Sequence, residues 1–157
     1  MVAATSVEWD EEEEPTAPFW RSGARVVVVD DDSDMRQVVH TTLRREGYDI
    51  RENASGGALL RTLSDIALGG FPLDGVDLIV LDNRMPGITG LEALRAIRGS
   101  EWTTPAVLMT AYPSQAVSDE AQALGAVVLP KPFTREALTR VVLEALLGKN
   151  RPRRIRR

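Results

Sequence analysis

The apolar positions divide the chain into short β-branched runs separated by stretches of helical spacing. Arg25–Asp30 (RVVVVD), Tyr48–Arg51, Asp77–Leu81, Ala106–Thr110 (AVLMT) and Ala126–Leu129 are bounded apolar runs, which read as strands. Between Ser33 and Glu46, Met35, Val38, Val39 and Leu43 recur at helical spacing, with Ser33 as N-cap and Gly47 as the stop. A second helix is expected over Gly57–Leu68, ended by Gly69-Gly70, followed by a loop at Phe71–Gly75. Thr89 and Glu92 form a capping box for a helix reaching Arg98. Ser114–Leu124 reads as a fourth helix, stopped by Gly125. Thr134 opens a fifth, whose apolar face is Leu138, Val141, Val142, Ala145 and Leu146, ending at Gly148. Five strands alternating with five helices imply an α/β fold, a parallel sheet covered on both faces by right-handed crossovers.

The run Leu78–Leu81 stops abruptly at Asp82, and Pro86-Gly87 then marks a turn. Open α/β sheets bind their ligands at the carboxyl ends of the strands, so Asp82 is a candidate site residue; a solvated loop is the other reading. The remaining strand ends supply Asp30, Asp31 and Asp32, then Thr110, then Lys131 before Pro132. Packed carboxylates repel unless a cation joins them, and hard oxygen donors suit Mg²⁺. A carboxylate beside Mg²⁺ can act as a nucleophile and carry an acyl phosphate. A hydroxyl and an ammonium could then bind the phosphoryl oxygens. Taken singly, each residue also has a plain reading: a turn and helix N-terminus, a strand threonine, a surface lysine. Their convergence on matching strand ends favours the joint reading.

Composition narrows the picture. At 157 residues, with 43% hydrophobic and 27% charged residues, one globular domain is expected. There is no cysteine, which removes disulfides, thiolate metal sites and thiol nucleophiles. No run is long enough to span a membrane and no signal peptide is evident, so the cytoplasm is the simplest location. Residues 8–14 hold six acids and residues 149–157 six bases, leaving 17 acids and 13 bases in the body. Such a body does not invite nucleic acid. Residues 1–22 are expected to be an acidic, mostly disordered tail, with Phe19 and Trp20 as the exception, able to dock on the body or else on a partner. Residues 23–148 form the domain, and residues 149–157 a basic tail. His40 reads as a packed or surface residue, Trp102 as packing before the fourth strand, and Met35, Met85 and Met109 as core or turn residues.

Four segments, VVVVDDDSDMR, DLIVLDNRMPGITGLEAL, VLMTAY and LPKPF, resemble the motifs of the receiver domain of bacterial two-component response regulators, in family order and spacing. The resemblance covers about residues 25–148. It implies a flavodoxin-like three-layer sandwich with sheet order 2-1-3-4-5. Asp82 then matches the phosphoacceptor, Asp31 the direct Mg²⁺ ligand and Asp30 the acid holding the metal through water. Arg84 matches the position that supplies a backbone carbonyl ligand, Thr110 the switch hydroxyl and Lys131 the phosphate-pairing lysine. Mg²⁺ is the implied cofactor, with Mn²⁺ an alternative. The implied donors are a sensor histidine kinase or a phosphotransfer protein, the implied output is a downstream protein partner, and a homodimer is compatible with the reading. The family's switch aromatic is replaced by Val128, which puts the usual output surface in doubt; Tyr112 could instead influence access of water to the phosphate. The initial Met and basic ending favour a stand-alone receiver; the acids lack a separate base and the only histidine is not at their edge, so a phosphoacceptor and not an independent hydrolase is expected. The alternative is a phosphorylation-independent pseudo-receiver serving as a protein-interaction module.

Overall fold

In the computed structural model of the protein, the described residues are 23–55, 58–59, 76–100 and 102–148. The apolar runs form strands β1 (Arg25–Val29), β2 (Asp49–Asn53), β3 (Leu78–Asp82), β4 (Ala106–Thr110) and β5 (Ala126–Pro130). All pair in parallel, in the order β2-β1-β3-β4-β5. Four helices are complete among the described residues: α1 (Ser33–Arg45), α2 (Gly90–Gly99), α3 (Gln115–Ala123) and α4 (Arg135–Leu146). Of the expected helix Gly57–Leu68, only Ala58 and Leu59 are described, and both are helical. The loop Phe71–Gly75 and both tails, residues 1–22 and 149–157, lie outside the described residues.

Strands covered on both faces must be apolar at successive positions, and β3 and β4 are buried throughout. Their side chains alternate between two cores. Val27, Val29, Ile79, Leu81 and Leu108 pack with Leu91, Leu94 and Ile97 of α2. Val26, Val28, Leu78, Val80, Val107 and Met109 pack with Val39 and Leu43 of α1 and Leu138 and Val142 of α4. Trp102 packs against the first core, and Met35 and Phe133 against the second. The N-caps at Thr89, Ser114 and Thr134 each accept a backbone N–H two or three residues into the helix.

Four local expectations are corrected. The third strand runs to Asp82, which pairs with Met109, because the ladder to β4 extends past the last aliphatic residue. The second strand is Asp49–Asn53 and not Tyr48–Arg51; its length follows its pairing with Arg25–Val29, and Tyr48 is buried at the preceding turn. Asp32, not Ser33, caps α1, accepting from Asp34 N at 3.0 Å and Met35 N at 3.3 Å. Val38 is 46% exposed, because the buried stripe of α1 passes through Val39, Thr42 and Leu43.

Gly90 opens α2 directly behind the end of β3. A Cβ there would lie 2.5 Å from the Asp82 carbonyl oxygen, 2.8 Å from Leu108 Cδ1 and 3.1 Å from Asn83 Cα. Two of these three atoms are backbone, so relief requires the chain at Asp82 to shift. Gly90→Ala is therefore expected to lower stability by about 1–3 kcal/mol in urea unfolding. Gly99→Ala, where a Cβ meets nothing within 4 Å, is the control and should be neutral or stabilising.

Candidate functional site

β1 and β3 are parallel neighbours, so their carboxyl ends deliver acids to one edge of the sheet. One carboxylate oxygen from each of Asp30, Asp31 and Asp82 lies within 4.8 Å of the others. Asp30 is fully buried, Asp82 is 7% exposed and Asp31 is open to solvent. Asp32, the third acid of the run, is occupied in capping α1.

The buried acids are held by a small set of donors. Asp30 Oδ1 accepts from Asp32 N at 3.0 Å, and Arg36 donates to the Asp30 carbonyl oxygen at 2.6 Å. Lys131 Nζ donates to Asp82 Oδ1 at 2.9 Å and lies 3.5 Å from Asp30 Oδ2. That last oxygen is buried and has no hydrogen-bond partner. Burial pushes the Asp30 carboxyl above its ordinary range and the Asp82 charge adds to this, against the opposing effects of Asp32 N–H and Lys131. Burial alone would lower the Lys131 ammonium, but the hydrogen bond it donates to Asp82 and the two neighbouring negative charges outweigh this and raise its pKa.

This donor set fits a small hard cation. Three carboxylates converge, all donors are oxygen, and one buried oxygen lacks any hydrogen bond, which a divalent ion would satisfy. Mg²⁺ suits it, and Mn²⁺ shares the preference.

Thr110 ends β4, and Lys131 directly follows the end of β5. Thr110 is 2% exposed, and its carbonyl accepts from Lys131 N at 2.7 Å. Its Oγ1 accepts from Tyr112 N at 3.1 Å. Val128 is half-buried against the first core, so the fifth strand carries an aliphatic residue where an aromatic was sought. Arg84 is exposed, and its guanidinium carbon lies 4.0 Å from the centroid of the Tyr112 ring. This stack, in the geometry of a cation–π contact, was not legible from the sequence as a pair. The register explains it: Asp82 and Met109 are cross-strand partners, so residues just beyond them become neighbours. His40 lies away from the edge, its Nδ1 3.5 Å from Glu52 Oε2.

The buried charge on Asp30 makes a testable demand. Because its folded pKa is raised, the stability tied to its neutral form is full below the ordinary carboxylate pKa and is lost as pH rises through the raised value. At neutral pH without divalent cation, Asp30→Asn should raise the thermal midpoint, since Asn keeps an acceptor for Asp32 N and removes the buried charge. It should also shrink the stabilisation given by Mg²⁺. A lower midpoint for the variant would contradict this reading.

The comparisons with known proteins agree with this geometry. A family model described as "Response regulator receiver domain" matches residues 26–143. The regulatory protein AtoC of Escherichia coli is 31% identical over 133 residues, covering 84% of this chain and 27% of AtoC. The transcriptional regulatory protein FixJ of Bradyrhizobium diazoefficiens is 30% identical over 122 residues, covering 77% of this chain and 56% of FixJ. The chain thus spans between about a quarter and about half of the length of these relatives. The chemotaxis response regulator CheY4 of Vibrio cholerae aligns with TM-score 0.64 and 31% identity, covering 79% of this chain and 99% of CheY4. The signal receiver domain of the putative NarL of Mycobacterium tuberculosis aligns with TM-score 0.66 and 31% identity, covering 81% of this chain and 98% of that one. With sheet order, strand-end residues and relatives in agreement, the chain belongs to the response regulator receiver domain family.

Proposed function

We propose that the protein accepts a phosphoryl group on Asp82 from a phosphohistidine donor, either a sensor histidine kinase or a phosphotransfer protein. The group would then be signalled to a downstream protein partner by a change of shape. The observation that carries the reading is the Lys131–Asp82 hydrogen bond beside Asp30 Oδ2, a buried oxygen that accepts no hydrogen bond. An ammonium and a cation-binding oxygen flank one nucleophilic carboxylate.

Asp30, Asp31, Asp82 and the Arg84 carbonyl would hold the divalent cation. When bound, Mg²⁺ neutralises negative charge on the carboxylates and on the incoming phosphoryl oxygens. The Asp82 carboxylate oxygen attacks phosphorus; the new O–P bond forms as the P–N bond to the donor imidazole breaks, and the imidazole leaves with that electron pair. Lys131, already on Asp82 Oδ1, pairs with the arriving phosphoryl oxygens. Thr110 Oγ1 accepts from Tyr112 N, which leaves its O–H free to donate to a phosphoryl oxygen. Water later cleaves the acyl phosphate and restores Asp82. The chain assists its own modification and does not turn over a separate substrate. This role suits a cytoplasmic protein, and no described helix is long and apolar enough to cross a membrane.

With acetyl phosphate and Mg²⁺, intact mass is expected to show one phosphoryl adduct on the wild type. Asp82→Asn, and wild type in chelator, should show none. An unmodified wild type would leave the pseudo-receiver, a binding module that does not use phosphate, as the better reading.

The Arg84–Tyr112 stack shields the approach to Asp82 in this account. An exposed cation–π contact is worth about 0.5–1 kcal/mol, so Tyr112→Ala should speed loss of the phosphoryl group about two- to fivefold. Unchanged decay of the adduct would remove Tyr112 from the mechanism.

A further inference from the structure

On the face away from α2 and α3, a groove of about 530 Å³ runs between α1 and α4. Its lining includes three guanidiniums, Arg45, Arg135 and Arg140. None of them is held in an ion pair among the described residues. Three other arginines are engaged: Arg36 lies 3.9 Å from Glu52, Arg95 pairs with Glu120, and Arg98 donates to the Leu124 and Trp102 carbonyls. Two carboxylates, Glu46 and Glu136, also line the groove, so three positive charges face two negative ones, with Arg44 adjoining in the last turn of α1. Thr42 is the most buried lining residue, its hydroxyl lacks a hydrogen-bond partner, and Leu143 adds apolar surface.

We propose that this groove is the docking site of the chain's own acidic segment, residues 8–14. Three observations select this occupant. The first is charge: the segment holds six acids within seven residues, opposite guanidiniums that lack partners. The second is position. Gly23 N donates to Gly47 O at 3.3 Å, so the N-terminal segment joins the body two residues beyond Arg45. Residues 15–22 can span up to about 27 Å, and α1 is about 20 Å long, so the acids reach every part of the groove. The third is Trp9, which lies inside the acidic run and can stack on a guanidinium beside Leu143. A short tether supplies an effective concentration of order millimolar, so a contact with a Kd of about 1 mM is already about half occupied. The inference does not depend on phosphorylation of Asp82.

The full chain has no cysteine, so Ser6→Cys accepts a single nitroxide label. Amide signals of Thr42, Thr139 and Leu143 are expected to lose most of their intensity relative to the reduced label, because a nitroxide docked nearby for about half the time dominates their relaxation. The intensity should return in a variant with Glu11, Glu12, Glu13 and Glu14 changed to Gln. It should also return in a combined Arg45→Ala, Arg135→Ala, Arg140→Ala variant whose sheet amides are unmoved. Raising salt to about 1 M, where screening acts within about 3 Å, should have the same effect. Broadening centred elsewhere, or unaltered by both variants, would overturn the proposal. So would broadening abolished only by deleting residues 149–157, which would place the acids on the basic tail. Broadening that grows with protein concentration would point to a second copy and equally overturn it.

Discussion

The hydrogen bond from Lys131 to Asp82 is the interaction on which the rest of this structure depends. Parallel pairing of β1 with β3 forces Asp30 and Asp82 to one edge, both almost out of water. Two carboxylates so placed repel in a medium of reduced dielectric, and burial alone disfavours each charge. A single ammonium at 2.9 Å from one and 3.5 Å from the other offsets part of that repulsion. It does not complete the hydrogen bonding, because Asp30 Oδ2 stays without a hydrogen-bond partner. A fold that buries such an atom without a hydrogen bond retains an excess of negative charge that a divalent cation would offset.

The back of the site is rigid and its front is open. Gly90 lets α2 start against the Asp82 carbonyl, and Asn83 is tied to α2 through Gly90 N at 3.0 Å and Leu91 N at 3.3 Å. Asp82 is thus fixed from behind by sheet and helix together. In front, Tyr112 is 62% exposed, its ring lies against Arg84 and its backbone N–H donates to Thr110 Oγ1. Drawing the Thr110 hydroxyl toward a phosphoryl group would strain that backbone bond first. With aliphatic Val128 in the fifth strand, the proposed readout would run through the segment from Thr110 to Tyr112.

The parallel sheet followed from alternation and its order from the resemblance alone, and the strand-end residues could be named because buried parallel strands announce themselves as aliphatic runs. What stayed hidden depended on tertiary pairing. The extension of β3 through Asp82 is a property of the ladder to Met109, which a polar residue's own preference does not reveal. The capping role passed from Ser33 to Asp32 because both residue types cap well, and only the backbone turn at Asp32 decides between them. Val38 looked like core by spacing, yet the stripe of α1 turns so that Thr42 is covered instead. The Arg84–Tyr112 stack and the basic groove between α1 and α4 join residues far apart in the chain, so no local pattern could show either.

The central claim is that the Asp82 edge is a preformed phosphoryl and cation site read out through Thr110. Adding beryllofluoride with Mg²⁺ to the isotopically labelled protein tests it directly. The account expects large amide shifts at Asp82, Thr110, Tyr112 and Lys131, small ones at Val128, and none in Asp82→Asn. A wild-type spectrum that Mg²⁺ perturbs but beryllofluoride leaves unchanged would contradict it.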